Sequence, residues 1–385
     1  MRLIICGDFY ISREYKNREL IDSSVVDLFS SADYRILNLE APVTSCKKKD
    51  AIPKTGPHLN MEEDTIRPFL QQLDINMVTL GNNHIMDYGE AGFAHTVSFL
   101  NEHKISYVGG GINLIEAKKP RILDINGLSI GILNFAENEW SIAGENRAGA
   151  NPLDIVDNVS QIKSLKMMCD KVICIIHGGH EMYSLPSPRM VKQYHFYADS
   201  GADVIIGHHT HCILPYEVYR SVPIIYGLGN FIFTIPSQYS DWYTGGVLEL
   251  EIKDSKPIEF KLFFVKQDDM SFSAHLMGGL QKRELEQKIE NQCCILQSED
   301  LLMAKWKELV REKSSYYINN FKHIFPFCNR IIGVLFDKFS MSDRFICLQS
   351  MRRILNLFRC ESHRDIMLAS IENGFSNFPS RNREA

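Results

Sequence analysis

The feature that most restricts the fold is an alternation. From the N-terminus to about Lys266, short apolar runs rich in β-branched residues alternate with segments whose apolar residues recur at helical spacing. Such a pattern specifies a layered α/β architecture, because each strand and helix must bury its apolar face against a neighbouring layer. Leu3 to Cys6, Arg35 to Leu39, Met77 to Leu80, Val172 to Ile176, Val204 to Ile206 and Ile224 to Tyr226 read as strands. Met61 to Leu73, Glu90 to Glu102, Val156 to Met168 and Pro188 to Ser200 read as the helices between them. Ile122 to Ile125, Asn126-Gly127 and Leu128 to Leu133 form a hairpin signal, since Asn-Gly supplies the positive φ values of a tight turn. Val247 to Ile252 and Ile258 to Val265 alternate like an antiparallel pair, so the sheets should be mixed.

Beyond Gln267 the pattern becomes helical, in Gly279 to Asn291, Glu299 to Lys313 and Arg344 to Ile371. The expectation is a layered sandwich of mixed β-sheets flanked by helices over residues 1–266, with a helical appendage over 267–385. Arg344 to Arg364 is basic on one side and apolar on the other. Such a helix packs on its own domain, lies on a membrane surface or binds a protein partner. The 42 basic and 47 acidic residues leave a net charge of −5, which offers no bulk footprint for nucleic acid. The opening apolar run stops at Gly7 and Asp8, too short for a signal-peptide core or a transmembrane segment, so a cytoplasmic protein is expected. The 10 cysteines show no paired spacing and read as reduced, mostly buried thiols.

Residues of metal-ligand type fall just past the ends of the apolar runs, the edge where layered α/β folds build sites. Asp8, Glu40, the trio Asn82, Asn83 and His84, His177, and the group His208, His209 and His211 each follow one strand. His209 and His211 are two apart, which on an extended segment turns both imidazoles to one side. His208 then faces the other way, toward substrate or the sheet. A mixed oxygen and imidazole set suits Mn, Fe or Zn, and two divalent metal ions are expected. The Asn83 amide oxygen suits a metal, while His84 can protonate a leaving oxygen. Asp87, three residues on, either orients that ring or caps a helix. Asn82, His208, Glu181 and Asn230 are candidates for substrate contact, with loop bracing the competing role for Asn230.

Six ordered blocks carry a resemblance: CGDF at Cys6, NLEAPVT at Asn38, GNNHIMDYGEAG at Gly81, HGGHEMYSLPSP at His177, GADVIIGHHTH at Gly201 and GLGNFIF at Gly227. Together they resemble the CapA family of capsule and poly-γ-glutamate biosynthesis proteins, within the calcineurin-like metallophosphoesterase superfamily. The resemblance implies Asp8, Glu40, Asn83, His177, His209 and His211 as metal ligands and His84, with Asp87, as the acid. Tyr10 stands where the wider superfamily has a histidine, and Thr210 where proline is usual. The implied activity is metal-assisted hydrolysis of a phosphoester, or of a related acyl or amide linkage, in a phosphorylated or polyanionic substrate. The other implied role is a non-hydrolytic accessory protein that binds an anionic polymer or its assembly machinery.

Overall fold

In β1 (Arg2–Tyr10) successive side chains enter two different cores: Leu3 and Ile5 one, Ile4 and Cys6 the other, all fully buried. Period-two alternation with both faces apolar requires a layer on each side. β9 (Lys171–His177) repeats the arrangement, with Ile173 and Ile175 in the core shared with Leu3 and Ile5, and Val172, Cys174 and Ile176 on the opposite face. The computed structural model describes residues 1–125, 127–254, 256–322 and 348–376.

The larger sheet runs β16 (Ala274–Leu276), β15 (Glu259–Gln267), β14 (Thr244–Glu251), β1, β2 (Tyr34–Leu39), β3 (Met77–Thr79) and β4 (Ser106–Val108), with β13 (Asn230–Phe233) pairing with the C-terminal end of β1. The second runs β11 (Tyr216–Tyr219), β12 (Val222–Ile225), β10 (Val204–His208), β9, β7 (Leu128–Ala136) and β6 (Arg121–Ile125). A two-residue ribbon, β5 (Gly110–Gly111) and β8 (Gly149–Ala150), stands apart. Both large sheets are mixed: β1 to β4 are parallel, as are β7, β9, β10 and β12, while β14 and β6 join antiparallel. The predicted hairpin closes with Ile125 opposite Leu128; Asn126 lies outside the described residues.

Helices α1 (Ser23–Ser30), α2 (Glu63–Gln72) and α3 (Gly89–Glu102) cover the outer face of the larger sheet through Val25, Phe29, Ile66, Phe69, Phe93 and Leu100. After the single-turn α4 (Leu114–Ala117), α5 (Ile155–Lys166) and α6 (Pro188–Asp199) cover the second sheet with Ile162, Leu165, Tyr194 and Tyr197. The unit is therefore helix, sheet, sheet, helix. Asp154 caps α5 through the Val156 and Asp157 amides, and Ser187 followed by Pro188 starts α6. α6 thus begins a short way past His177 and its glycines, close to the strand ends.

The chain divides into two compact units, one of Met1–Ile52 and His58–Leu302, the other of Pro53–Pro57 and Met303–Ala385. α7 (Gly279–Leu296) belongs to the first, where Ile289 packs on Ile213 and Phe264. In the second, α8 (Glu299–Lys322) meets α10 (Glu361–Ser376) through Ser314 with Ser370 and Tyr317 with His363. The single helix expected from Arg344 to Ile371 is two, α9 (Leu348–Arg359) and α10, separated at Cys360; Arg344 to Cys347 lie outside the described residues. Cys360 and Leu357 are buried and the two helices pack against each other, while Met351, Leu355 and Phe358 of α9 stay exposed. Among the described residues no helix is long and apolar enough to cross a membrane.

Candidate metal centre

Parallel pairing brings the polar ends of β1, β2, β9 and β10 to one edge, and the register sets who meets whom. Asp8 is paired with Asn38 on β2 and Asn230 on β13, and His208 with His177. Asp8 lies within its strand, and His177 and His208 close theirs, so these three ladders continue one or more residues beyond the apolar runs. A register shift at Gly7 re-aims Asp8. Gly7 is obligatory there, because a Cβ would stand 1.9 Å from the Gly229 carbonyl oxygen, and that carbonyl accepts the Asp8 amide at 3.0 Å.

His209 and His211 do not sit on an extended segment. Their φ values are +85° and +53°, a left-handed backbone that costs roughly 1–3 kcal/mol per non-glycine residue. The coiled backbone, rather than strand alternation, directs their rings. Both are buried, with ring centroids 6.2 Å apart. Chains hold such strain when the surroundings over-determine it, which points to a functional constraint on these two positions.

One cluster gathers four donor atoms. His177 Nε2 lies 3.1 Å from Asn83 Oδ1, 3.1 Å from His209 Nδ1 and 3.3 Å from Glu40 Oε1. A ring nitrogen carries at most one proton, so these lone pairs cannot all be satisfied by hydrogen bonds. Glu40 Oε1 is fully buried and has no hydrogen-bond partner among the described residues. A carboxylate oxygen left this way costs more than the ~1–3 kcal/mol of an orphaned neutral group. A cation among the four atoms would offset the penalty, so this mixed oxygen and imidazole set fits a metal ion. Asn83 Nδ2 donates to Glu139 at 3.2 Å, which turns Oδ1 inward.

The second cluster centres on Asp8. Asp8 Oδ2 is 3.4 Å from His211 Nδ1 and accepts the His209 amide at 3.2 Å. His211 Nδ1 also meets Asn230 Oδ1 at 2.9 Å, and Asn230 Nδ2 donates to the Trp242 carbonyl, so Asn230 braces the ring. Ligand-type atoms of Asp8, Glu40 and His211 lie within 4.8 Å of one another, as do those of Glu40, His177 and His209. Glu40 belongs to both groups.

Burial opposes charge throughout this site, and the neighbours decide the outcome. For Asp8 the hydrogen bond to His211 and the surrounding imidazoles outweigh burial and hold its carboxyl well below the usual range. Burial pushes Glu40 up, and the Asp8 charge pushes it further. Burial and His209 push His177 down, whereas Asp8 overcomes burial at His211 and raises it.

His208 does not face away from the cluster. It is fully buried, with a ring nitrogen within 4.8 Å of the ligand-type atoms of Asp8 and His177, so it offers no surface for substrate. Its strand is paired on both sides, and neither of its buried ring nitrogens has a hydrogen-bond partner among the described residues. Asn82 is likewise internal: it donates to the Leu39 carbonyl at 2.8 Å and accepts the His84 amide at 3.1 Å, bracing the loop rather than meeting substrate. Glu181 is exposed and near enough to raise Glu40 and His211 electrostatically. His84 Nδ1 is 2.7 Å from Asp87 Oδ2, and the same oxygen accepts the Leu59 amide at 2.7 Å. Asp87 thus holds the ring directly. Tyr10 packs on Phe233, with burial pushing its phenol up to about 12, so it stays neutral.

Two residues escaped the sequence reading. Asn38 sits fully buried between Asp8 and Glu40, donating from Nδ2 to both carboxylates. Its place two residues before Glu40 on an apolar strand was the available signal. Trp242, 4.7 Å from the His211 ring, comes from a distant turn and had none.

Residues 2–235 match the model of the bacterial capsule synthesis protein family PGA_cap, and the chain belongs to that family. It is 32% identical over 236 residues to the PGA biosynthesis protein CapA of Bacillus subtilis, an alignment covering 59% of this chain and 62% of that protein. It is 30% identical over 246 residues to the capsule biosynthesis protein CapA of Bacillus anthracis, covering 60% of each. A probable polyglutamine synthesis accessory protein of Mycobacterium tuberculosis is 28% identical over 216 residues, covering 53% of this chain and 56% of that one. The chain thus spans about three fifths of the length of the curated relatives it matches. Among solved structures, a putative 5'-nucleotidase from Staphylococcus aureus aligns at a TM-score of 0.45 and 14% identity, covering 75% of this chain and 58% of that one.

Proposed function

We propose, from membership of the capsule synthesis family, that this chain is a metal-dependent hydrolase of the phosphoesterase kind acting in capsule, cell-surface polysaccharide or poly-γ-glutamate synthesis. The observation that carries the reading is the convergence of His177 Nε2, His209 Nδ1, Asn83 Oδ1 and the unpartnered Glu40 Oε1 at 3.1–3.3 Å from the His177 nitrogen. Two divalent ions would be held by Asn83, His177, His209 and Glu40 on one side and by Asp8, His211 and Glu40 on the other. Such a pair, when bound, would supply Lewis-acid polarisation of substrate oxygens and a water acidic enough to serve as nucleophile at neutral pH.

The protein's own groups provide the rest. Asp87 fixes the Nδ1 proton of His84, leaving Nε2 to deliver a proton to the leaving oxygen. Asn230 and Trp242 hold the His211 ring, and Asn82 holds the loop that carries Asn83 and His84. Burial of Asp8, Glu40, His84, His177, His209 and His211 limits access of bulk water to the charges and strengthens each interaction.

A non-hydrolytic accessory role is the second reading, in line with the Mycobacterium tuberculosis relative, a probable polyglutamine synthesis accessory protein. Metal analysis of the purified protein followed by a panel of phosphomonoester, phosphodiester and γ-glutamyl amide substrates separates the two. Turnover that disappears with chelation supports the hydrolase. Two bound metals, tight binding of an anionic polymer and no turnover of any substrate would establish the accessory role. Met351, Leu355 and Phe358 are exposed at i, i+4 and i+7 on α9, which also carries Arg352, Arg353 and Arg359. That face supports docking on an anionic surface, a membrane or a protein partner.

A further inference from the structure

We infer that Asn38 is a positioning residue: it decides which oxygen of each buried carboxylate faces which ligand cluster. The inference rests on the metal-site reading above. Its amide nitrogen donates to Asp8 Oδ1 at 2.8 Å and to Glu40 Oε2, which uses both of its protons. The oxygens left over make the closer approaches to the imidazoles: Asp8 Oδ2 lies 3.4 Å from His211 Nδ1 and Glu40 Oε1 3.3 Å from His177 Nε2, whereas the held Asp8 Oδ1 comes only within 3.9 Å of His177 Nδ1. One amide therefore sorts four carboxylate oxygens into two held and two offered.

The amide cannot turn over. Its oxygen accepts from Thr79 Oγ1 at 3.0 Å and faces Asn82 Nδ2 at 3.4 Å. A flipped amide would set its oxygen against two carboxylate oxygens and its nitrogen against the Asn82 nitrogen. Thr79, on β3, thus fixes the amide without touching either acid. With no lone pair on its amide nitrogen and its oxygen turned toward β3, Asn38 is not itself a ligand. Its contact with His177 Nδ1 at 3.4 Å carries no proton from the amide, since both are already used. Without Asn38 the two fully buried acids would have four unassigned oxygens, and each could rotate away from its imidazole.

The experiment uses the full chain stripped of metal and compares wild type, Asn38→Leu and Thr79→Val. Mn²⁺ is titrated by calorimetry, Co²⁺ loading is followed by its visible absorption, and the melting temperature is measured without metal. Wild type should take two ions. Asn38→Leu should bind about ten- to a hundredfold more weakly, in the range known for residues that orient metal ligands, with an altered Co²⁺ band. Thr79→Val should shift affinity and spectrum in the same direction by less. A residue that only fills space would change the melting temperature and leave the Co²⁺ spectrum alone. Two ions bound at wild-type affinity in both variants, with unchanged spectra, would overturn the positioning role while leaving the metal site standing. A wild type that takes no metal would overturn both. Should Asn38→Leu fail to fold, Thr79→Val decides alone.

Discussion

His177 and His209 present ring nitrogens to each other 3.1 Å apart, with the Asn83 amide oxygen 3.1 Å from the same His177 nitrogen. Metal-free, this arrangement is frustrated, because a single proton on His177 Nε2 would face the lone pairs of Asn83 Oδ1, His209 Nδ1 and Glu40 Oε1. It follows that removing one imidazole should not harm the fold. His209→Ala should keep the metal-free melting temperature within a few degrees of wild type, a change of ~1 kcal/mol or less, or raise it. The same variant should lose stoichiometric metal and turnover. Thermal melts with and without Mn²⁺ check this, and full turnover with normal metal content would sink the site assignment.

Asp87 touches His84 and the Leu59 amide. His84→Asn should lower kcat by about 10²–10⁴, the range for a general acid, with metal content unchanged. Asp87→Asn should fall in the same direction through loss of ring orientation. Using a substrate whose leaving group needs no proton should restore most of the rate to both, and a leaving-group-independent defect would argue for damage elsewhere.

Glu40 is raised by burial and then by Asp8, so in the metal-free protein its folded pKa exceeds its unfolded one. The folded state then binds more protons, and stability falls as pH rises from the unfolded value near 4.5 through the raised folded value. On the proposed site, metal would reverse the sign, because it would bind only after Glu40 has lost its proton. The stabilisation by Mn²⁺ should therefore grow from pH 5.5 to pH 8. Melting temperatures at both pH values, with and without metal, test it; an increment independent of pH contradicts it.

Gly7 faces the Gly229 carbonyl with no room for a methyl group. Gly7→Ala should destabilise by more than about 3 kcal/mol, since backbone rather than a flexible side chain must move. Urea unfolding of the two proteins gives the number, and a loss under about 1 kcal/mol would show that the strands separate more easily than their pairing suggests.

On α9, Leu355→Glu with Phe358→Glu should abolish cosedimentation with vesicles containing anionic lipid, and salt should weaken the wild-type binding. Equal sedimentation of wild type and variant would exclude this face as a membrane contact.

The layers and the polar edge were legible in the sequence because both follow from local periodicity. Alternation in Leu3 to Cys6 or Val172 to Ile176 says that two faces are buried, whatever covers them. Ligand-type residues after five of the six runs say where the polar edge lies. Local pattern also placed the Asp87 and His84 pair, three residues apart. What the sequence could not state was geometry that depends on other chain segments. Strand alternation implied that His209 and His211 project together, but both sit at positive φ, imposed by contacts such as the Asp8 carboxylate on the His209 amide, 201 residues away in sequence. For His208 the local pattern leaves substrate and sheet both open, and for Asn82 it suggests substrate contact, because sequence carries no sign of which side a neighbouring strand occupies. Asn38 passed unnoticed for the converse reason: its partners Asp8, Glu40, Thr79 and Asn82 come together only when β1, β2 and β3 pair. By itself, then, the sequence determined the layers and the supply of donors, which are properties of spacing. Only the tertiary structure decided which donor atoms converge and which oxygens remain unsatisfied, because those depend on distances between segments far apart in the chain.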